Sequence, residues 1–176
     1  EQITQAAHKK LKEFDSNLAQ EFKNLLKGND GYLKILISGS VEPIEVKIYE
    51  ALVNTIEENG FSQILEKELK TTEPTSSEVL KLLSKLQDHL AKDSQFSGIV
   101  MVIDELGKFV QFAGRNKNQG DLFLLQQLAE NTALAHQLSL NLIAMLHQSL
   151  DVYAKDLDEE TKNEWKKIQG RFNEIS

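Results

Sequence analysis

The stretch Gly98-Ile-Val-Met-Val-Ile-Asp-Glu-Leu-Gly-Lys-Phe109 decides how this sequence is interpreted. Five apolar residues, Ile99 to Ile103, run without a polar interruption and end at two adjacent carboxylates, Asp104 and Glu105. A short apolar run of this kind is typical of a strand buried on both faces of a parallel sheet. Because open α/β sheets bind ligands at the carboxyl ends of their strands, the acidic pair is predicted to lie in a ligand crevice.

Two other segments have the composition of buried strands. Leu33 to Ser38 is rich in β-branched residues, and Leu140 to Leu146 is a second apolar run. Apolar residues at helical spacing lie around these strands, at 3–27, 44–58, 61–69, 76–90, 121–138 and 149–169. Lys108 to Gly120 is predicted to form a helical turn and a loop. Strands that alternate with helices indicate an α/β fold, with three parallel strands flanked by helices that cover both faces of the sheet.

Composition describes an ordinary globular chain. Its 176 residues are 40% hydrophobic and 27% charged, which suits a single domain over residues 1–176 with no second domain. The net charge of −7 argues against nucleic acid as a partner, because binding to phosphates needs a positive field. The apolar runs are too short to cross a bilayer, no signal peptide is evident and cysteine is absent. We therefore expect a cytoplasmic protein with no membrane partner.

The acidic pair could meet two needs of an ATP-hydrolysing site, a ligand for Mg²⁺ and a group that orients the attacking water. Asp104 is the candidate ligand for Mg²⁺, an ion that keeps part of its water shell and takes one or two carboxylates. Glu105 is the candidate group for orienting the attacking water. The simpler alternative is a strand that ends in surface acids, in which case Lys108 would only pair with Glu105 on the same helical turn.

Three further side chains are candidates for the same site. His147 and Gln148 follow the third strand, so a parallel sheet would place one of them beside the acidic pair, where it could contact a γ-phosphate. The plainer alternatives are a histidine satisfied by the backbone and an amide that caps a helix. Arg171, one of only two arginines, could stabilise transition-state charge in cis or from a neighbouring subunit, or could be a surface residue with a packed stem.

The C-terminal half of the sequence resembles P-loop ATPases. It looks most like large bacterial ATP-binding proteins of the AAA-like and STAND-like kind, including ATPases of phage-defence systems such as BREX. The resemblance rests on Ile103 to Phe109, Gly120 to Glu130, Leu146 to Ser149, Tyr153-Ala154, and Trp165 to Phe172. It implies Mg²⁺ and ATP as ligands and ATP hydrolysis as the reaction. It also implies Asp104 as the metal ligand, and as catalytic residues Glu105, His147, Gln148 and Arg171.

The Walker A loop of this family, G-x-x-x-x-G-K-[ST], is not in the sequence. We expect its strand and loop to lie upstream of Glu1, which makes the chain a partial ATPase domain, by itself inactive and without a bound cofactor. The three strands would correspond to the family's second, third and fourth strands. Strand 140–146 would then have an open edge, which we expect a second copy to cover in a homo-oligomer or a domain-swapped dimer.

Two alternatives to an ATPase follow from the same residues. The first is a non-catalytic protein-interaction or regulatory α/β module, which would use its acidic surface and amphipathic helices to bind a partner. The second is a carboxylate-based metal hydrolase, which needs more acids or histidines around Asp104, and His147 is the obvious candidate. The other histidines and Trp165 are predicted to be packed or solvated residues without a role in chemistry.

Overall fold

The computed structural model describes residues 9–25, 31–65, 71–93, 96–116, 120–133, 138–147, 152 and 159–173. Three strands are β1 (Tyr32–Ser38), β2 (Gly98–Asp104) and β3 (Ser139–Ala144). The helices are α1 (Ser16–Leu25), α2 (Ile44–Glu58), α3 (Ser76–Asp93), α4 (Leu106–Arg115), α5 (Phe123–Ala133) and α6 (Glu159–Gln169). In the described part of the short helix predicted at 61–69, which is residues 61–65, the structure has a 3₁₀ turn, Ser62–Ile64. None of the helices in these ranges is long and apolar enough to cross a membrane.

The strands form one parallel sheet in the order β1-β2-β3, with β2 in the centre. Ser38 lies opposite Asp104 in the register of β1 and β2. Val102 lies between Leu36 of β1 and Ile143 of β3. The predicted α/β class and the three parallel strands flanked by helices are confirmed.

One face of the sheet packs against helices and forms the core. Successive strand residues point to opposite faces, so every second residue of β1 is buried. The apolar residues of α2 recur at steps of four, which places them on one side of that helix and against the sheet. The strand residues of this buried face are Leu33, Ile35, Ile37, Ile99, Met101, Ile103 and Leu140. Trp165 of α6 is also in this core, as predicted for a packing residue.

The opposite face, here called the open face, departs from the prediction that helices cover both sides. Leu36 is 69% exposed and Ile143 is 49% exposed. With Val102 between them, these two residues form a continuous line across the sheet, which we call the apolar row. The apolar sequence of β2 suits burial on both sides, but it carries no information on whether a covering element is present.

The predicted helix at 3–27 is interrupted at Asp15. Residues 9–14 are helical, and α1 starts again at Ser16. The Asp15 carboxylate accepts the N–H groups of Asn17 and Leu18 at 2.8 and 3.1 Å, which is the pattern of an N-cap. An aspartate that satisfies these donors begins a new helix more readily than it continues an old one.

Two other predicted boundaries are wrong. The helix α4 extends over ten residues, where a turn and a loop were expected. Its glycines lower helix propensity, but Leu106, Phe109 and Val110 are buried in the core and stabilise the helix through packing. The strand β3 ends at Ala144, two residues before the predicted end. Parts of the predicted helices at 3–27, 61–69, 121–138 and 149–169 lie outside the described residues.

Hydrogen bonds join the starts of three helices. The Asp121 N–H donates to Oε2 of Glu45, in the first turn of α2, at 3.0 Å. The Ser76 hydroxyl at the start of α3 donates to Oδ2 of Asp121 at 2.5 Å. Oδ1 of Asp121 accepts the N–H of Phe123, the first residue of α5, at 3.0 Å. Carboxylates are favourable at helix N-termini, so Asp121 stabilises α5 while it links that helix to the other two.

Candidate functional site

The three strands end at the same edge of the sheet. Because they are parallel, the residues that follow each strand are brought together there. Ser38 and Asp104 are directly opposite one another, and β3 continues through Met145 to His147. The structure brings Glu105 and His147 together, since His147 Nε2 lies 3.5 Å from Glu105 Oε1.

Glu105 has the most unusual backbone in the described chain. Its φ of 51° and ψ of 42° are left-handed, and it is the only non-glycine residue with a positive φ in the ranges that the structure describes. This conformation costs free energy for a residue with a Cβ. It turns the chain from β2 into α4, and the Asp104 side chain accepts the Glu105 N–H at 2.8 Å.

Backbone contacts from both neighbouring strands hold this turn. The Gly39 N–H, after β1, donates to the Asp104 carbonyl at 2.9 Å, and the Leu106 N–H donates to the Met145 carbonyl, after β3, at 3.1 Å. A Cβ on Gly39 would collide with the carbonyl oxygen of Glu105 and lie 2.8 Å from its Cβ. The left-handed turn therefore depends on glycine at position 39.

The Glu105 carboxylate is already paired with two basic side chains. Lys108 Nζ lies 2.5 Å from Oε2, so the pair that the helical spacing offered as the simple alternative is present. The hydrogen bond from Lys108, with smaller contributions from His147, lowers the pKa of Glu105 below its ordinary value of 4.5. A carboxylate held in its anionic form is able to orient water or bind a cation, although it is a weaker base.

Asp104 and Ser38 are opposite each other at the ends of β2 and β1, and both carry side-chain oxygens, the kind of ligand that Mg²⁺ prefers. One Asp104 oxygen accepts the Glu105 N–H, and the Ser38 hydroxyl group belongs to the residue directly opposite. In the described part of the chain no group of three or more His, Asp or Glu residues is arranged to hold a metal ion. Mg²⁺ commonly binds through one or two carboxylates together with water and phosphate oxygens. Asp104, with Ser38 opposite, meets that requirement for a magnesium ion that arrives with a phosphate ligand.

Arg171 is engaged at a different place. Its Nε and Nη2 donate to Oε1 of Glu130 at 3.2 and 2.7 Å. Glu130 belongs to α5 and Arg171 follows α6, so the pair links these two helices. The second predicted γ-phosphate contact, Gln148, lies outside the described residues.

The sequence predicted a turn at Ser38-Gly39 after a strand but gave these two residues no role at this edge. Their signal is the Ser38-Gly39-Ser40 segment at the end of a strand, where glycine permits the close approach of another backbone. Comparisons with known proteins give no match: no family model fits the sequence, and no curated protein or solved structure is significantly similar to the chain.

Proposed function

We propose that this chain supplies the magnesium-binding and water-orienting edge of an ATP-hydrolysing site of the P-loop type. The observation that carries the proposal is the left-handed turn at Glu105, which contacts from both neighbouring strands hold in place. Strained backbone of this kind persists only where the surrounding structure enforces it, and it is concentrated at functional sites. The turn sets two consecutive carboxylates at the end of the central strand.

The order of the strands supports the same proposal. β2 and its acidic pair lie between β1 and β3, which is the order expected of the second, third and fourth strands of a P-loop ATPase. His147 follows β3 and reaches the Glu105 carboxylate. In an ATPase of this type the polar end of that neighbouring strand faces the γ-phosphate.

In this proposal each residue has a role that follows from its position. Asp104, with Ser38 opposite, would hold Mg²⁺ through an oxygen and through water; when bound, the ion neutralises phosphate charge. Glu105 orients the attacking water once Lys108 releases one of its oxygens. His147, whose side chain is 73% exposed, is free to turn toward a phosphate. Arg171 would act only in a state in which Glu130 releases it.

The first test uses the 176-residue chain with Mg-ATP. The sequence contains no Walker A motif, and backbone amides of that loop supply much of the contact with the phosphates. Weak binding of Mg-ATP by calorimetry and no turnover are therefore the expected results. Tight binding would show that the phosphates are held in another way and would contradict the proposed site.

The second test uses a longer chain that also carries a Walker A loop. There Glu105→Gln is expected to keep ATP binding and to lower kcat by about 10²-fold or more, because a water-orienting group contributes on that scale. Asp104→Asn is expected to weaken the magnesium dependence of binding. Glu50→Gln is the matched control, since this exposed glutamate of α2 pairs only with Lys47 among the contacts described. Unchanged turnover in Glu105→Gln would exclude Glu105 from the reaction.

A non-catalytic interaction module is the second candidate, and the open face favours it. Leu36 and Ile143 are large apolar residues left exposed in register on one side of the sheet. Exposed apolar surface of this kind commonly marks a site for another protein. If the longer chain binds ATP but shows no turnover that depends on Glu105, this second function is preferred.

A further inference from the structure

The free edge of β3 has backbone groups that need partners. In a parallel strand, the N–H and C=O of one residue point to the same side and those of the next residue point to the other. Met145 bonds toward β2 through both groups, to Ile103 and Leu106. Leu142 and Ala144, like Leu140, therefore direct their backbone groups away from β2, and in the described part of the chain these groups have no hydrogen-bond partner.

A groove of about 610 Å³ runs along this edge. Its walls include Leu142 and Ala144 of β3, Ile143 on the open face, and Arg171 and Phe172 after α6. The strand itself reads Ser-Leu-Asn-Leu-Ile-Ala and contains neither a charged residue nor proline. Those are the residues with which proteins usually protect an exposed edge. The other outer strand, β1, has a lysine in its middle.

We propose that, in the 176-residue chain, β3 pairs edge to edge and antiparallel with β3 of a second copy, with the two Ile143 residues facing each other. A longer chain that carries the Walker A strand would place that strand at the same edge, so the pairing is proposed for the chain without it. In this register Leu142 and Ala144 of one copy exchange backbone hydrogen bonds with Ala144 and Leu142 of the other. The match follows because both strands direct the same alternate residues outward, as antiparallel hydrogen-bonded pairs require. A two-fold axis through the sheet relates the copies, which is the commonest symmetry of homodimers.

The apolar row on the open face favours a second copy over an unrelated peptide as the partner of this edge. The apolar row ends at Ile143, and in this register it continues into the apolar row of the other copy. An Ile–Ile pair at directly opposite positions is a favourable cross-strand contact. The pairing therefore satisfies the free backbone groups and extends the apolar surface in one step.

An introduced thiol tests the register, because the chain contains no cysteine. Directly opposite residues of a non-hydrogen-bonded pair have Cα atoms about 4.5 Å apart, which a disulfide can span. Under mild oxidation, Ile143→Cys is expected to crosslink at least about tenfold faster than Leu36→Cys, since pairing raises the effective thiol concentration. Leu36 is the matched control, in the same apolar row and more exposed, but on the far strand. Equal rates would overturn the proposal.

Light scattering on the unmodified chain provides the independent measurement. At high micromolar concentration we expect the mass of two copies of 19.9 kDa. Ile143→Lys places like charges opposite each other and is expected to give a monomer, while Leu36→Lys stays dimeric. Both positions are exposed, so circular dichroism is expected to show both variants folded. A monomeric unmodified chain, or a dimer that Ile143→Lys leaves intact, would overturn the proposal.

Discussion

The two faces of the sheet are similar in sequence and different in burial. Ile35, Met101 and Leu142 lie in register on the helix side, where the first two are completely buried. The next residue of each strand belongs to the apolar row, Leu36, Val102 and Ile143, where the first is 69% exposed. The two sets are adjacent in sequence, because each residue of the apolar row directly follows a residue of the helix side. Apolar sequence therefore favours a strand, while the elements packed on each side decide which residues stabilise the fold.

The largest expected effect tests that difference on two consecutive residues of β2. Met101→Ala removes a completely buried side chain and is expected to lower the free energy of unfolding by about 2–5 kcal/mol. Val102→Ala, on the half-buried open face, is expected to cost about 1 kcal/mol. Urea denaturation of both variants gives the two values. Equal losses would mean that the open face is covered in solution.

The next largest effect concerns the turn at the end of β2, which contacts Gly39 after β1. Gly39→Ala introduces a Cβ that collides with the Glu105 backbone, so it is expected to cost about 1–3 kcal/mol. Gly170→Ala is the control, because a Cβ there would meet its nearest atom at an ordinary 3.6 Å, and it is expected to change stability by less than about 0.5 kcal/mol. If both substitutions are neutral, the close approach of the two turns is not present in solution.

Particular residues show how far sequence reasoning extends. The acidic end of β2, the helix α2 and the helix α3 were predictable because each depends on local spacing and on nearby capping or turn residues. The requirement for Gly39 depends on a contact with Glu105, far away in the sequence, and no local pattern contains it. The open face was not predictable for the same reason, since burial depends on what other elements cover.

A smaller effect is expected from relieving the strain at Glu105. Asparagine adopts the left-handed conformation at lower cost than glutamate, so Glu105→Asn is expected to raise the melting temperature slightly. The loss of the exposed pair with Lys108 has little effect on stability. In the proposed site the same variant loses the water-orienting carboxylate, so stability and activity would change in opposite directions. A lower melting temperature would show that the carboxylate stabilises the turn more than its backbone strains it.

The smallest effect is expected at two ion pairs, Lys108–Glu105 at the edge of the sheet and Arg171–Glu130 between helices. Lys108→Met is expected to raise the pKa of Glu105 toward 4.5, because the lysine is the main cause of its depression. Arg171→Met is the matched control: it is expected to raise the pKa of Glu130, which Gln126 and Arg171 lower, and to leave Glu105 unchanged. Carboxyl ¹³C NMR titrations separate the two.

The depressed pKa of Glu105 also affects stability. The ionised carboxylate stabilises the folded chain at pH values above the ordinary pKa, and this contribution is lost as the pH falls through the pKa of the folded chain. Lys108→Met should therefore weaken the acid destabilisation below pH 4.5, and a Glu105 pKa that does not move would mean that the ammonium group is not its partner in solution.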